Sequence, residues 1–268
     1  MHFASRFAAS TIRAKKVAFR SLCDAVGNNT RTTKITKTLA LRFLTQISSD
    51  RTPGAANDMA KALRAGWNWG ITFLAMPSDN PFSLPKFPQD EKPRYVPPYK
   101  DFQAVLALTT GKDSLLLLTA LHTAARRGEL FRLCWLDIDT ANKAIRFGTR
   151  KRRGCGMQYD WLPMTDQLAA LFAAYLPVVD TAAYVFPRPD GQPYITRTPF
   201  LRKLCDMAGV QRFGFHGIRH LSASMMAQGN IPIPDIQNVL RHKSPMTTAR
   251  YIHSLGAIKA NLNRVFNL

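Results

Sequence analysis

The sequence predicts a mainly α protein with one small antiparallel β-sheet, divided into two domains. Three observations predict this. Apolar residues recur at three- and four-residue steps through most of the chain. A stretch holding six prolines, Ser78–Lys100, interrupts that rhythm. Beyond it, between Cys134 and Met164, the period shortens to that of strands.

Residues 1–83 read as helical. "TKITKTLALRFLTQI" (Thr33–Ile47) and "ANDMAKALRAGWNWGITFLAM" (Ala56–Met76) each present one apolar face, and "SSDRTPG" breaks between them. Trp67 and Trp69 are expected in the core of this first domain. The proline-rich stretch reads as a linker, which sets the expected domains at 1–88 and 101–268 with 89–100 between them. Helices are expected around Asp101–Thr109 and Leu115–Leu133. "KAIRF" and "MQYDWLPM" read as short strands joined by the basic turn "GTRKRRGCG" (Gly148–Gly156). Helix returns at Thr165–Val178. It also covers "HGIRHLSASMMAQGNIPIPDIQNVLRHKSPMTTARYIH" (His216–His253), with breaks at Gly229–Pro234 and Lys243–Pro245. Met225 and Met226 in this stretch are expected in the core.

The chain has 268 residues, 37 Lys+Arg against 17 Asp+Glu, and a net charge of +20. The surplus is spread out. Residues 1–95 carry 15 basic and 6 acidic side chains, and residues 96–268 carry 22 and 11. A distributed surplus favours nucleic acid as the partner over an anionic membrane surface. The first 22 residues contain no acid, as in a mitochondrial presequence. Basic residues continue to Arg42 with only Asp24 against them, which favours a basic DNA-facing helix, with Lys15 and Lys16 as candidate contacts. Cys23, Cys134, Cys155 and Cys205 show no paired spacing, which argues against a zinc site or disulfide framework and fits a reducing cytosol. The strongest apolar run, Leu115–Ala125, is too short to span a bilayer. No metal or other cofactor is expected.

Three segments carry chemistry-bearing residues. In "ALHTAARRGELFRLCWLDID" (Ala120–Asp139), Arg126 and Glu129 are three apart and are expected on one helix face. The surroundings are apolar, so Arg126 needs a buried carboxylate or a phosphate as partner. His216 and Arg219 are three apart at the start of another helix, with His220 as a packing or orienting residue. Ser244-Pro245 reads as the start of a short helix that places Tyr251 in its second turn, and His242 stands just before it.

Together these residues suit phosphodiester chemistry. Two arginines can clamp the non-bridging oxygens of a phosphate. A tyrosine can attack phosphorus and conserve the ester energy in a covalent link. Histidines move protons near neutral pH. A lysine among other cations can protonate a leaving oxygen, and the basic turn offers Lys151. Its neighbours Arg150, Arg152 and Arg153 are candidate DNA-backbone contacts.

The three segments resemble the boxes of the tyrosine recombinase, or phage integrase, family. "TAARRGELFRLCWLDID" is similar to the first box, with Arg126 at the catalytic arginine and Glu129 at the acidic position after it. "HGIRH" is similar to the H-x-x-R-H box, giving His216 and Arg219. "LRHKSPMTTARYIH" is similar to the last box, giving His242 and the nucleophile Tyr251. Each box alone is a weak signal, but their order and spacing make a strong one.

Some positions depart from the family pattern. Ala124 and Ala125 stand where Gly-Leu is usual. Arg241 stands where glycine usually precedes the histidine, which adds charge beside the site and a candidate DNA contact. Thr149 is followed by Arg150 before Lys151.

The resemblance implies a helical core-binding domain followed by an α+β catalytic domain, closing around double-stranded DNA that carries specific sites. It implies strand exchange through a 3′-phosphotyrosyl intermediate by a homotetramer on DNA, aided in some systems by accessory DNA-bending proteins. It places the protein in a bacterial or phage-encoded, cytoplasmic, nucleoid-associated setting, away from membranes. The stretch before the first helices is too short for a separate arm-site domain. Two other readings share these residues: a type IB topoisomerase, and a non-catalytic integrase-derived DNA-binding protein.

Overall fold

The computed structural model describes residues 9–90, 95–150, 156–175 and 183–242. Tyr251, Lys151, Arg152, Arg153 and the expected Ser244-Pro245 helix start lie outside these residues, as does the side chain of Arg150. The chain forms two compact units, 1–93 and 94–268. No helix among the described residues is long and apolar enough to cross a membrane.

The first unit contains helices α1 (Ala9–Val26), α2 (Lys37–Asp50) and α3 (Pro53–Phe73). Threonine hydroxyls cap two of them. Thr36 accepts from the Leu39 N–H at 3.2 Å, and Thr52 accepts from the Ala55 N–H at 3.1 Å, with Pro53 opening the first turn. Ala18, Leu22, Phe43, Leu44, Leu63 and Trp67 form the core. Burying each large apolar side chain contributes about 1.5–3 kcal/mol. Lys16 on α1 is exposed and Lys15 half-buried.

Part of the expected linker is packed rather than free. Phe82 is buried in this unit's core, and Asn57 on α3 both donates to the Phe87 carbonyl and accepts from the Phe87 N–H, each at 2.9 Å. The side chain of Asn80 donates to the Arg64 carbonyl at 3.0 Å and accepts from the Phe82 N–H at 2.9 Å. Prolines leave fewer backbone donors in such a stretch, and asparagine side chains supply the pairing instead. Trp67 is buried as expected, whereas Trp69 is exposed. Residues two apart on a helix point to opposite sides, so one face cannot bury both.

The second unit contains α4 (Tyr99–Ala107), α5 (Gly111–Thr123), α6 (Arg127–Leu130), α7 (Asp166–Ala173), α8 (Thr198–Met207), α9 (Phe215–Gln228) and α10 (Ile233–Leu240). Its sheet has the order β1 (Ile138–Asp139), β2 (Ala144–Arg150), β3 (Met157–Pro163), all antiparallel. Ile145 pairs with Leu162 and Phe147 with Asp160. Ile145, Phe147 and Leu162 face the core. On the other face Arg146 lies over the exposed rings of Tyr159 and Trp161 and pairs with Asp137 at 2.8 Å.

Helices α5 and α9 pack on each other and are buried along most of their length, so they form the centre of the unit. Met225, expected in the core, lies on the exposed side of α9. The helix expected to run through Leu133 breaks at Ala124, which adopts a left-handed conformation (φ 48°, ψ 28°), before α6 begins.

Candidate active site

Ala124 is the first feature that shapes the site. Left-handed backbone disfavours any residue with a Cβ and usually selects glycine or asparagine. Here it ends α5 and turns its own carbonyl toward α9, where Arg219 donates a short hydrogen bond to it through Nη1. A second left-handed residue, Arg241 (φ 50°, ψ 46°), ends α10. The preceding carbonyl, that of Leu240, accepts from Arg219 Nη2 at 2.5 Å. Arg219 is only 2% exposed. Its charge therefore lies between the C-terminal ends of two helices, where carbonyl groups carry partial negative charge.

Arg219 Nη2 also lies 2.9 Å from His242 Nε2. A guanidinium has only donors, so that ring nitrogen accepts and the ring proton resides on Nδ1. Burial disfavours the imidazolium, and Arg219, Arg126, Arg241 and His216 add repulsion. The pKa of His242 falls to about 4, and the ring is neutral at physiological pH.

Arg126 caps the short helix α6 instead of sharing a face with Glu129 inside a longer one. Its backbone N–H donates to Glu129 Oε2 at 2.8 Å and its Nη1 to Oε1 at 3.0 Å. Nη2 donates to the Arg241 carbonyl at 3.3 Å. The side chain is 41% exposed, so it is held from behind while remaining reachable from solvent.

Glu129 is the buried hub, with a side chain 2% exposed. It also accepts from the Thr149 hydroxyl on β2 at 2.8 Å and from Arg241 Nη2 at 2.7 Å. Burial alone would raise its pKa. Arg241, the Arg126 N–H, the Arg126 charge and Thr149 outweigh that and hold it at about 2, so it is a carboxylate.

Arg241 was expected to contact DNA. Its side chain is 6% exposed, stacked on the Phe147 ring with 4.8 Å to the centroid, and turned into Glu129. Burial lowers its pKa and Glu129 raises it again.

His216 is exposed at the first turn of α9, with its ring edge-on to the buried His220 ring at 4.3 Å between centroids. His220 was expected as a packing or orienting residue. Arg126, Arg219 and His242, with Glu129 behind them, are brought together, and His216 opens α9 one turn before Arg219. Thr149 and the Ala124 carbonyl belong to the site, and sequence reasoning missed both. Thr149 carried a signal, since it lies in the basic turn; a backbone carbonyl carries none. Three arginines against one carboxylate make a pocket with surplus positive charge, suited to a tetrahedral anion.

Residues 102–257 match the phage integrase family. Over 79 residues the chain is 32% identical to transposase B from transposon Tn554 of Staphylococcus aureus, a match that covers 26% of this chain and 12% of that one. The chain therefore spans a small part of that relative's length. Its fold is similar to the Tn1549 transposon integrase solved in complex with transposon right end DNA. The TM-score is 0.74 at 16% identity, covering 97% of this chain and 94% of that one. It is also similar to lambda integrase solved as a tetramer bound to a Holliday junction, with a TM-score of 0.73 at 14% identity over 93% and 73% of the two chains.

Proposed function

The chain belongs to the phage integrase family, and from that premise we propose that it is a tyrosine-type site-specific DNA recombinase that cuts and rejoins duplex DNA without a cofactor. The observation that carries this reading is the meeting of Arg126, Arg219 and His242. Arg219 bonds directly to His242, and Arg126 bonds to the residue before it. Such a pocket stabilises the charge that develops on a phosphate under attack.

In the proposed reaction Tyr251 Oη attacks the scissile phosphorus and its proton passes to His216. A P–O bond forms to the tyrosine and the bond to the 5′-oxygen breaks. Lys151 gives the departing oxygen its proton, leaving a 3′-phosphotyrosyl link and a free 5′-hydroxyl. Arg126 and Arg219 hold the non-bridging oxygens, and neutral His242 donates a hydrogen bond through Nδ1–H. The 5′-hydroxyl of a partner duplex then attacks the link and releases Tyr251, which exchanges the strands. Because the tyrosine conserves the ester energy, the cycle needs no nucleotide.

Lys15, Lys16, Arg150, Arg152 and Arg153 serve as backbone contacts in this reading. Four protomers act on two duplexes, as the assembly of lambda integrase on a Holliday junction suggests, and accessory DNA-bending proteins assist where the sites require them. Integration or excision of a mobile element, within the cytoplasm, is the proposed role.

Tyr251→Phe tests the reading. It keeps the ring and removes the attacking oxygen. On a nicked suicide duplex the variant is expected to bind as the wild type does and to give no covalent adduct on a denaturing gel. An adduct of normal yield would move the nucleophile elsewhere and overturn the scheme.

A further inference from the structure

We infer that Arg241 is a positioning residue of the cleavage site. Its side chain occupies one oxygen of Glu129, so that Arg126 is held by the other, and its left-handed turn delivers the Leu240 carbonyl and the His242 ring to Arg219. This rests on the proposed recombinase reading.

Two features at this one residue are unfavourable. A left-handed conformation is strained for a side chain with a Cβ. A guanidinium removed from water loses hydration, and here Nε and Nη1 are buried with no hydrogen-bond partner among the described residues. The contact that offsets both is Glu129 at 2.7 Å, with the Phe147 ring beneath the guanidinium.

The division of the carboxylate shows what that contact does. Oε2 takes Arg241 Nη2 and the Arg126 backbone N–H. Oε1 takes Arg126 Nη1 and the Thr149 hydroxyl. An isolated arginine–carboxylate pair prefers a fork in which both Nη atoms engage both oxygens. With Oε2 filled by Arg241, Arg126 spends only Nη1 on Glu129. Its Nη2 goes to the Arg241 carbonyl, and the guanidinium stays turned to the open side of the pocket. Arg241 thus prevents Arg126 from collapsing onto the carboxylate that supports it. It touches no reacting atom.

The test compares Arg241→Met, which keeps bulk on Phe147, Arg241→Gly, which suits the left-handed backbone, and Arg241→Lys, which keeps the charge. Binding of a duplex carrying the recombination site is expected to stay within about twofold of wild type in all three, because the replaced side chain is buried. Single-turnover formation of the tyrosyl adduct is expected to slow about tenfold or more in the Met and Gly variants, as displaced catalytic groups do. Arg241→Lys is expected to recover part of that loss. A crystal structure of Arg241→Met is expected to show both Nη atoms of Arg126 on Glu129. An unchanged adduct rate, affinity falling in step with rate, or Arg126 in its original place would each overturn the inference. Failure of the wild type to form an adduct with any duplex would instead sink the recombinase reading, and the crystal structure would still decide the role of Arg241.

Discussion

Arg219 is a buried cation placed against helix-end carbonyls and a neutral ring nitrogen. Arg219→Ala is expected to leave the Ala124 and Leu240 carbonyls without their donor and to open a void beside them. The combined loss is about 3 kcal/mol, read by chemical denaturation. His242 adds a pH dependence. Its folded pKa of about 4 lies below the ordinary value of 6.5, so the unfolded chain binds the extra proton between those values. Stability is therefore full above about 6.5 and falls as the pH drops toward 4. Glu129 continues the loss lower down, since its depressed pKa favours the fold above 4.5 and that gain disappears toward 2. In urea titrations from pH 7 to 4, His242→Gln is expected to flatten the slope. An unchanged slope would show that another group titrates there. At this scale the sequence was informative about the phosphate-facing groups and about Glu129 behind Arg126. Residue types in three segments, together with the resemblance of those segments to the family's boxes, singled out Arg126, His216, Arg219 and His242. Arg241 was expected as a charge beside the site and a DNA contact; the glycine usual at its position pointed to a tight turn, but its burial against Glu129 leaves no pattern in one dimension.

Among the elements, β2, β3 and the presence of α2 and α3 were legible, because alternation and apolar periodicity are local signals, while the limits of both helices lie three or four residues from those expected. The end of α5 was not. The stretch Leu115–Ala125 is mostly apolar, and neither glycine nor proline marks the break at Ala124. Tertiary demand sets it, since Arg219 needs that carbonyl. Part of the proline-rich stretch packs on α3, which its composition does not show. Asn57, thirty residues from Phe87 in sequence, holds part of it, and Asn80 holds another part through the Arg64 carbonyl. Asn57→Ala removes both hydrogen bonds to Phe87, and the expected cost is about 2 kcal/mol. Limited proteolysis should then cut faster near residues 85–90. Equal cutting in mutant and wild type would show that the Phe82 anchor suffices without Asn57.

For the whole molecule, a net charge of +20 governs how it meets a polyanion. DNA affinity is expected to fall steeply and linearly on a log–log plot against salt, since each phosphate contact releases counterions. A flat dependence would mean that the charge is not spent on the backbone. Cleavage is expected to survive a strong chelator, because Arg126 and Arg219 supply the positive charge at the phosphate. Loss of cleavage restored by Mg²⁺ would contradict this. The seat of Arg219 has one more consequence. Its two carbonyl partners lie 95 residues before it and 21 after it in the chain. Contacts so far apart in sequence close only once α5, α9 and α10 have all docked. A chain still emerging from the ribosome, or one partly unravelled by heat, carries the basic charge that clings to DNA without the seat that aligns its arginines. On the proposed recombinase reading, competence to cut is thus withheld until folding is complete.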